Sequence, residues 1–162
     1  MGALMDPDQV LAWRQEQAAL DRRVVFTNGH FDLLHAGHVR YLQAARRLGD
    51  ALVIGLNSDV SAGRRKPGRP IVPQEDRAEL LAALACVDAV VIYDELTAVH
   101  LVEMLRPDIY VKGGDWARPE NPPPEAVVAE ALGGVVRYLP YVPDHSTSLI
   151  IERIRRLPTG TP

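Results

Sequence analysis

Cysteine occurs once in the 162 residues, at Cys86, so no internal disulfide framework can form and a reducing compartment suits the chain. No apolar run approaches the roughly 20 residues needed to cross a bilayer as a helix. The first twenty residues lack the basic-then-apolar order of a secretion signal and read as an amphipathic helix after an Asp6-Pro7 start, spanning about 6–20. Charge of one sign is also missing: 18 Lys and Arg face 21 Asp and Glu, a net −3, which argues against a general nucleic-acid coat. These absences predict a cytoplasmic address with neither nucleic acid nor membrane as partner. Three motifs are missing as well. No G-x-G-x-x-G follows the first apolar run, no G-x-x-x-x-G-K-[ST] exists, and no G-x-S-x-G elbow is present. The lone Cys86 sits in an apolar stretch at a helix end, where an inert thiol is expected. A covalent hydrolase is thereby disfavoured.

What is present alternates between apolar runs and helical patterns. VVFTNG (24–29), ALVIGLN (51–57), DAVVIY (88–93), PDIYVKGG (107–114) and VVRYLP (135–140) read as five strands. Helices are predicted at 37–48, about 74–85, 97–105, 125–132 and 146–157, the last with Ser146 as N-cap. The stretch SAGRRKPGRPIVP (61–73) is too polar and broken for regular structure, and the tail 158–162 is expected to fray. Strands apolar on both faces, alternating with helices, imply an α/β fold. The expectation is one Rossmann-like domain over 1–162, with five parallel strands and helices on both sides of the sheet. Ligands of such sheets bind beyond the carboxyl ends of the strands. The chemistry-rich segments 27–38, 57–70, 112–116 and 141–148 all follow strands.

TNGHFDLLHAGH (27–38) carries three of the chain's five histidines. Zinc is one reading of His30, His35 and His38, but Asp32 is the only nearby carboxylate and no further Cys/His pair follows. An ordinary turn built by Asn28, Gly29 and Gly37 is another. A third reading fits the placement better. His38 falls in the first turn of a helix, where amide donors and the helix dipole favour an anion, and Gly37 lets backbone approach a ligand. Asn28 and Asp32 could fix the turn through side-chain-to-backbone bonds. Ser146, Thr147 and Ser148 offer a second helix start rich in hydroxyls and amides. Arg64, Arg65, Lys66 and Arg69 form a glycine-punctuated basic loop, read either as solvated charge or as a flap that closes on a polyphosphate.

These residues carry a resemblance. TNGHFDLLHAGH resembles the H-x-G-H signature of the nucleotidylyltransferase superfamily, cytidylyltransferase-like branch, and STSLII resembles its second signature. GLNSD, GRPIVPQEDR and VKGGDW are most similar to the stand-alone D-glycero-β-D-manno-heptose 1-phosphate adenylyltransferases. The likeness runs from about Leu11 to Arg156. It implies transfer of AMP from ATP, with Mg²⁺, to a phosphorylated sugar, giving ADP-heptose and pyrophosphate. By this resemblance His35, His38 and Lys66 are catalytic. Thr27, Asn28, Gly29, His30, Phe31, Asp32, Gly37, Arg77, Gly113, Gly114, Asp115, Trp116 and Ser146 to Ser148 bind nucleotide. Asn57, Asp59, Arg64, Arg65 and Arg69 are candidates for acceptor contacts. Mg²⁺ would arrive on the triphosphate with no dedicated protein ligand, and a homodimer is compatible with the related enzymes.

Departures keep alternatives open. His30 stands where the heptose enzymes have cysteine. Ile151 stands where the wider superfamily often has an arginine; the heptose group also lacks it, which favours the narrower likeness. YVPDHSTS lacks the arginine that glycerol-phosphate cytidylyltransferases carry before the second signature, which lowers cytidylyl transfer. A non-catalytic nucleotide-binding regulator is the rival outside the enzymes.

Overall fold

A computed structural model describes residues 2–113, 120–140 and 142–158. Among them the chain runs β1 (Ala3–Leu4), α1 (Pro7–Ala19), β2 (Val24–Gly29), α2 (Ala36–Arg46), β3 (Ala51–Asn57), α3 (Asp59–Arg65) and α4 (Gln74–Ala82), then β4 (Ala89–Tyr93), α5 (Val99–Leu105), β5 (Ile109–Gly113), α6 (Pro124–Ala131), β6 (Val135–Leu139) and α7 (Thr147–Arg155). All strands are parallel, in the order β1-β4-β3-β2-β5-β6. The chain builds outward from β2 through β3 to β4, then returns to place β5 on the other flank of β2. The order therefore reverses at β2 and β5, whose carboxyl ends open a crevice.

Alternation along β2 explains the two-sided core. Val24 and Phe26 pack with Val10, Leu101, Tyr110 and Ala126 under α1, α5 and α6. Val25 faces the opposite way, with Leu42, Ile54, Leu81 and Val111 beneath α2 and α4. Each such fully buried aliphatic or aromatic side chain contributes roughly 1.5–3 kcal/mol of hydrophobic stabilisation. Every residue of β3 is buried, as an apolar run covered on both faces requires.

Two expectations need revision. The sheet has a sixth strand, β1, where five were expected. Ala3–Leu4 is too short to show a period, and backbone bonds such as Ala3 N–H to the Asp88 carbonyl at 3.0 Å hold it at the edge. The basic stretch is also not wholly irregular, because α3 covers Asp59–Arg65. Ser58 caps it by accepting from the Ser61 amide at 3.2 Å, Asp59 lies in its first turn, and Arg64 and Arg65 lie in its last. Each charge complements the helix dipole at its own end. Elsewhere the predicted elements appear, most with ends shifted by a few residues. Asp6 closes a capping box with Gln9 at the start of α1, and Ser146 caps α7 by accepting from the Leu149 amide at 3.1 Å.

Candidate active site

The loop leaving β2 turns sharply, with Phe31 (φ 45°) and Leu33 (φ 44°) in the left-handed region. Asp32 holds this turn to two other segments. Its Oδ2 accepts from Arg69 at 2.9 Å, and its Oδ1 accepts from the Ile71 and Val72 amides at 2.9 and 3.1 Å. Its backbone carbonyl accepts from the Thr147 hydroxyl at 2.7 Å, which ties in the start of α7. Burial by itself would raise the Asp32 carboxyl, but the bond from Arg69 and the two amides hold it below the usual carboxylate range.

His35 is the N-cap of α2 and makes no side-chain capping bond, so its side chain leaves the first-turn amides open. Its ring stacks on that of His38, with centroids 3.8 Å apart and planes 25° apart. Phe31 meets His38 edge-on at 5.4 Å. Gly37 permits the arrangement: a Cβ there would lie 2.7 Å from His145 Cβ and 2.9 Å from the His35 ring. The Nδ1 atoms of both His35 and His38 are buried without a hydrogen bond among the described residues. Both rings line the cleft.

Burial, helped by the neighbouring His35, lowers His38 to about 4 despite an opposing pull from Asp32. Burial and then His145 lower His35 as well. His30 falls to about 4 through burial first and then through Lys66, Arg65, Arg77 and Lys112. His30 and His38 are therefore neutral at pH 7 in the free protein, and His35 is shifted the same way. They offer N–H donors rather than full charge, and an arriving polyanion would favour their protonation.

The cleft at the ends of β2 and β5 measures about 670 Å³. Around it the structure gathers Asn28 to Asp32, His35, Gly37, His38, Asn57, Arg65, Lys66, Arg69, Gly113 and Ser146 to Ser148. Lys66 ends α3 as an exposed residue, and its ammonium takes no partner among the described residues. Arg65 reaches the carbonyl of Leu96. Ser148 is exposed at the rim.

Other candidates stand elsewhere. Arg64 is exposed and does not line the cleft. Thr27 is fully buried and pairs with the Tyr41 hydroxyl at 2.8 Å. Arg77 is 1% exposed, and its guanidinium is spent on the carbonyls of Val72 (2.9 Å), His30 (2.5 Å) and Asn57 (3.0 Å) and on the Asp59 carboxylate (2.7 Å). It clamps the ends of β2 and β3 together from beneath the cleft, and Asp59 serves as its partner rather than as a lining residue. Gly114, Asp115 and Trp116 lie outside the described residues.

Tyr93, Lys112, Glu125 and His145 also line the cleft; Lys112 and His145 fall in segments expected to form the site, whereas Tyr93 and Glu125 were not anticipated. Lys112 had a signal, since a lysine inside the apolar IYVKG strand must find buried partners. His145 adjoins the STS signature. Glu125 had none.

The family description "Cytidylyltransferase-like" matches residues 26–153. The bifunctional protein HldE of Syntrophotalea carbinolica is 55% identical over 138 residues, 82% of this chain and 27% of that protein. That of Geobacter sulfurreducens is 52% identical over 139 residues, 85% of this chain and 28% of that protein. The chain thus spans just over a quarter of the length of these curated relatives. Among solved structures, a lipopolysaccharide core biosynthesis protein from Thermoplasma volcanium superposes with a TM-score of 0.61 at 30% identity, covering 75% of this chain and 97% of that one. A pantoate–β-alanine ligase from Francisella tularensis superposes with a TM-score of 0.61 at 12% identity, covering 91% and 69%, and shares the fold. With an H-x-G-H pair and a Ser/Thr-rich helix start facing one cleft, this chain belongs to the cytidylyltransferase-like family of nucleotidylyltransferases.

Proposed function

We propose that this chain transfers AMP from ATP to a heptose 1-phosphate, releasing pyrophosphate, in the cytoplasm. The observation that carries the reading is the stacked His35–His38 pair at an uncapped helix start, with two buried Nδ1 atoms left without partners. An unsatisfied buried polar atom costs roughly 1–3 kcal/mol. Such a cost makes sense where a ligand completes the site.

The chemistry asks little else. The acceptor phosphate, with a second pKa of about 6, is mostly dianionic at neutral pH. One of its oxygens attacks the α-phosphorus while the bond to the β-phosphate oxygen breaks, so no general base is needed. The protein has to hold two anions in line and stabilise charge spreading over the α-phosphate and the leaving pyrophosphate. In this reading the His35 and His38 N–H groups, the α2 amides and Lys66 meet the triphosphate. Ser146, Ser148 and the first-turn amides of α7 hold its far end. Gly113 and the backbone near Val142 to His145 read the base. Among the described residues no group of three His, Cys, Asp or Glu could hold a metal ion. Mg²⁺ would therefore enter on the triphosphate, and no step here runs through a protein-bound ion.

Crossing four nucleoside triphosphates with several sugar and alcohol phosphates in a pyrophosphate-release assay tests the reading. ATP with heptose 1-phosphate should be the best pair. Faster use of CTP with glycerol 3-phosphate would instead select cytidylyl transfer within the same family.

A further inference from the structure

The wall of the cleft opposite the histidines has a different chemistry. It is built on the α5/α6 side of the sheet, and its polar side chains are almost wholly buried: Asn28 is 9% exposed, Tyr93 6%, Lys112 8% and Glu125 4%. Asn28 is the hub. Its Nδ2 donates to the Tyr93 hydroxyl at 3.0 Å and to Glu125 Oε1 at 3.3 Å. Its Oδ1 accepts from the Tyr110 hydroxyl at 2.8 Å and from Lys112 Nζ at 2.6 Å. All four groups of the hub are thus fixed in orientation by one amide, which suits recognition better than loose charge does.

Glu125 is the anomaly. Its Oε1 accepts from both Asn28 and the Ala98 amide, the latter at 2.9 Å, while Oε2 accepts from nothing among the described residues. Glu125 nonetheless lines the cleft, and Oε2 is not among its sealed, unpartnered atoms. A carboxylate is an acceptor only. Placed in a cleft that also carries Arg65, Lys66 and Lys112, it would repel any phosphate brought against it. Whatever occupies this corner must donate hydrogen bonds and carry no negative charge there. The Tyr93 hydroxyl beside it accepts from Asn28 and still has its own hydrogen to give. Burial pushes Tyr93 up to about 12, so that hydrogen is retained at neutral pH. An acceptor beside a donor matches the alternating needs of neighbouring hydroxyls.

We propose that Glu125 and Tyr93 read the hydroxyls of the acceptor sugar, holding the polyol on the α5/α6 wall while its phosphate turns toward the cationic floor. This inference rests on the sugar-phosphate reading above and adds to it the residues that select a hydroxylated acceptor over a simple alcohol phosphate. The ribose of the nucleotide has similar hydroxyls, but the nucleotide's phosphates are assigned to the α2 and α7 wall across the cleft.

The test is calorimetric binding of heptose 1-phosphate, and separately of a non-hydrolysable ATP analogue, to wild type, Glu125→Gln and Tyr93→Phe. Glu125→Gln keeps an oxygen for the Ala98 amide, and Tyr93→Phe keeps the packing, so either variant can carry the test if the other fails to fold. Expected is about a tenfold to hundredfold loss of sugar-phosphate affinity in Glu125→Gln, with a smaller loss in Tyr93→Phe. Affinity for the ATP analogue should stay within about twofold of wild type in both, since neither side chain is placed on the nucleotide. Unchanged sugar-phosphate binding in the folded variants overturns the inference and leaves the adenylyltransferase reading standing. A loss confined to the nucleotide moves Glu125 to the ribose and overturns it equally. A wild type that binds no sugar phosphate overturns both.

Discussion

Arg77 on α4 and the His35–His38 pair at the start of α2 both adjoin the loop after β2, yet they spend their hydrogen bonds in opposite ways. Arg77 sits under the cleft with every nitrogen of its guanidinium committed to protein oxygens. The two imidazoles above it stack on each other and leave buried nitrogens unmatched. A saturated cation positions backbone; an unsatisfied donor waits for substrate. The contrast separates structure from chemistry among residues of similar type, and it applies equally to the basic loop. There Arg69 is committed to Asp32 while Lys66 takes no partner among the described residues.

The largest effect should fall on the unmatched groups. His35→Ala and His38→Ala should each cut turnover about 100- to 1000-fold, as loss of a preorganised donor to developing charge does. Binding of ATP, followed by calorimetry, should change much less. A parallel fall in both quantities would break the contrast.

Arg77→Ala should act on stability instead. It strands three carbonyls, while Asp59, which is partly exposed, can rehydrate. A loss of roughly 2–3 kcal/mol is expected, seen as a lower denaturation midpoint. Turnover per folded molecule should fall through misplacement of the His30 loop, and a lysine in place of Arg77 should not restore the four contacts.

Lys66→Ala sharpens the same comparison from the other side. It should lower turnover about tenfold with an unchanged Tm, because the side chain holds nothing in the free protein. If the loop closes on nucleotide, a saturating ATP analogue should also slow proteolysis after Arg64, Arg65 and Lys66.

The last expected effect is a pH dependence of stability. Folded His30 and His38 are depressed to about 4, whereas an unfolded imidazole titrates near 6.5. The unfolded chain thus binds more protons between those values, so stability falls as pH drops through that window and is flat above it. Denaturant melts from pH 7.5 to 4.5 should show the decline, and replacing His38 with asparagine should reduce it.

The same distinction explains how much could be read in advance. β2 and β3 were legible to the residue, because doubly covered parallel strands leave uninterrupted apolar runs between turn residues. The H-x-G-H and STS segments were legible as site because each follows a strand and opens a helix. Arg77 was visible as a charge, but whether it meets ligand or protein depends on packing among residues 30, 57, 59 and 72, which no local pattern encodes. The Asn28 hub joins β2, β4, β5 and α6 in the same way, so Glu125 and Tyr93 carried no mark in the chain. α3 was hidden by the glycine and arginines that make its segment resemble a loop, although its Ser58-Asp59 start was a readable cap.

The claim that the unmatched imidazoles meet the triphosphate is tested most directly by NMR titration of His35 and His38, with and without a non-hydrolysable ATP analogue and Mg²⁺. In the free protein His38 should titrate near 4, with His35 also below its ordinary value. With the analogue bound, both midpoints should move upward and the ring nitrogen signals should shift, because phosphate oxygens favour the protonated, donating form. Midpoints that stay where they were while the analogue saturates the cleft would contradict the account.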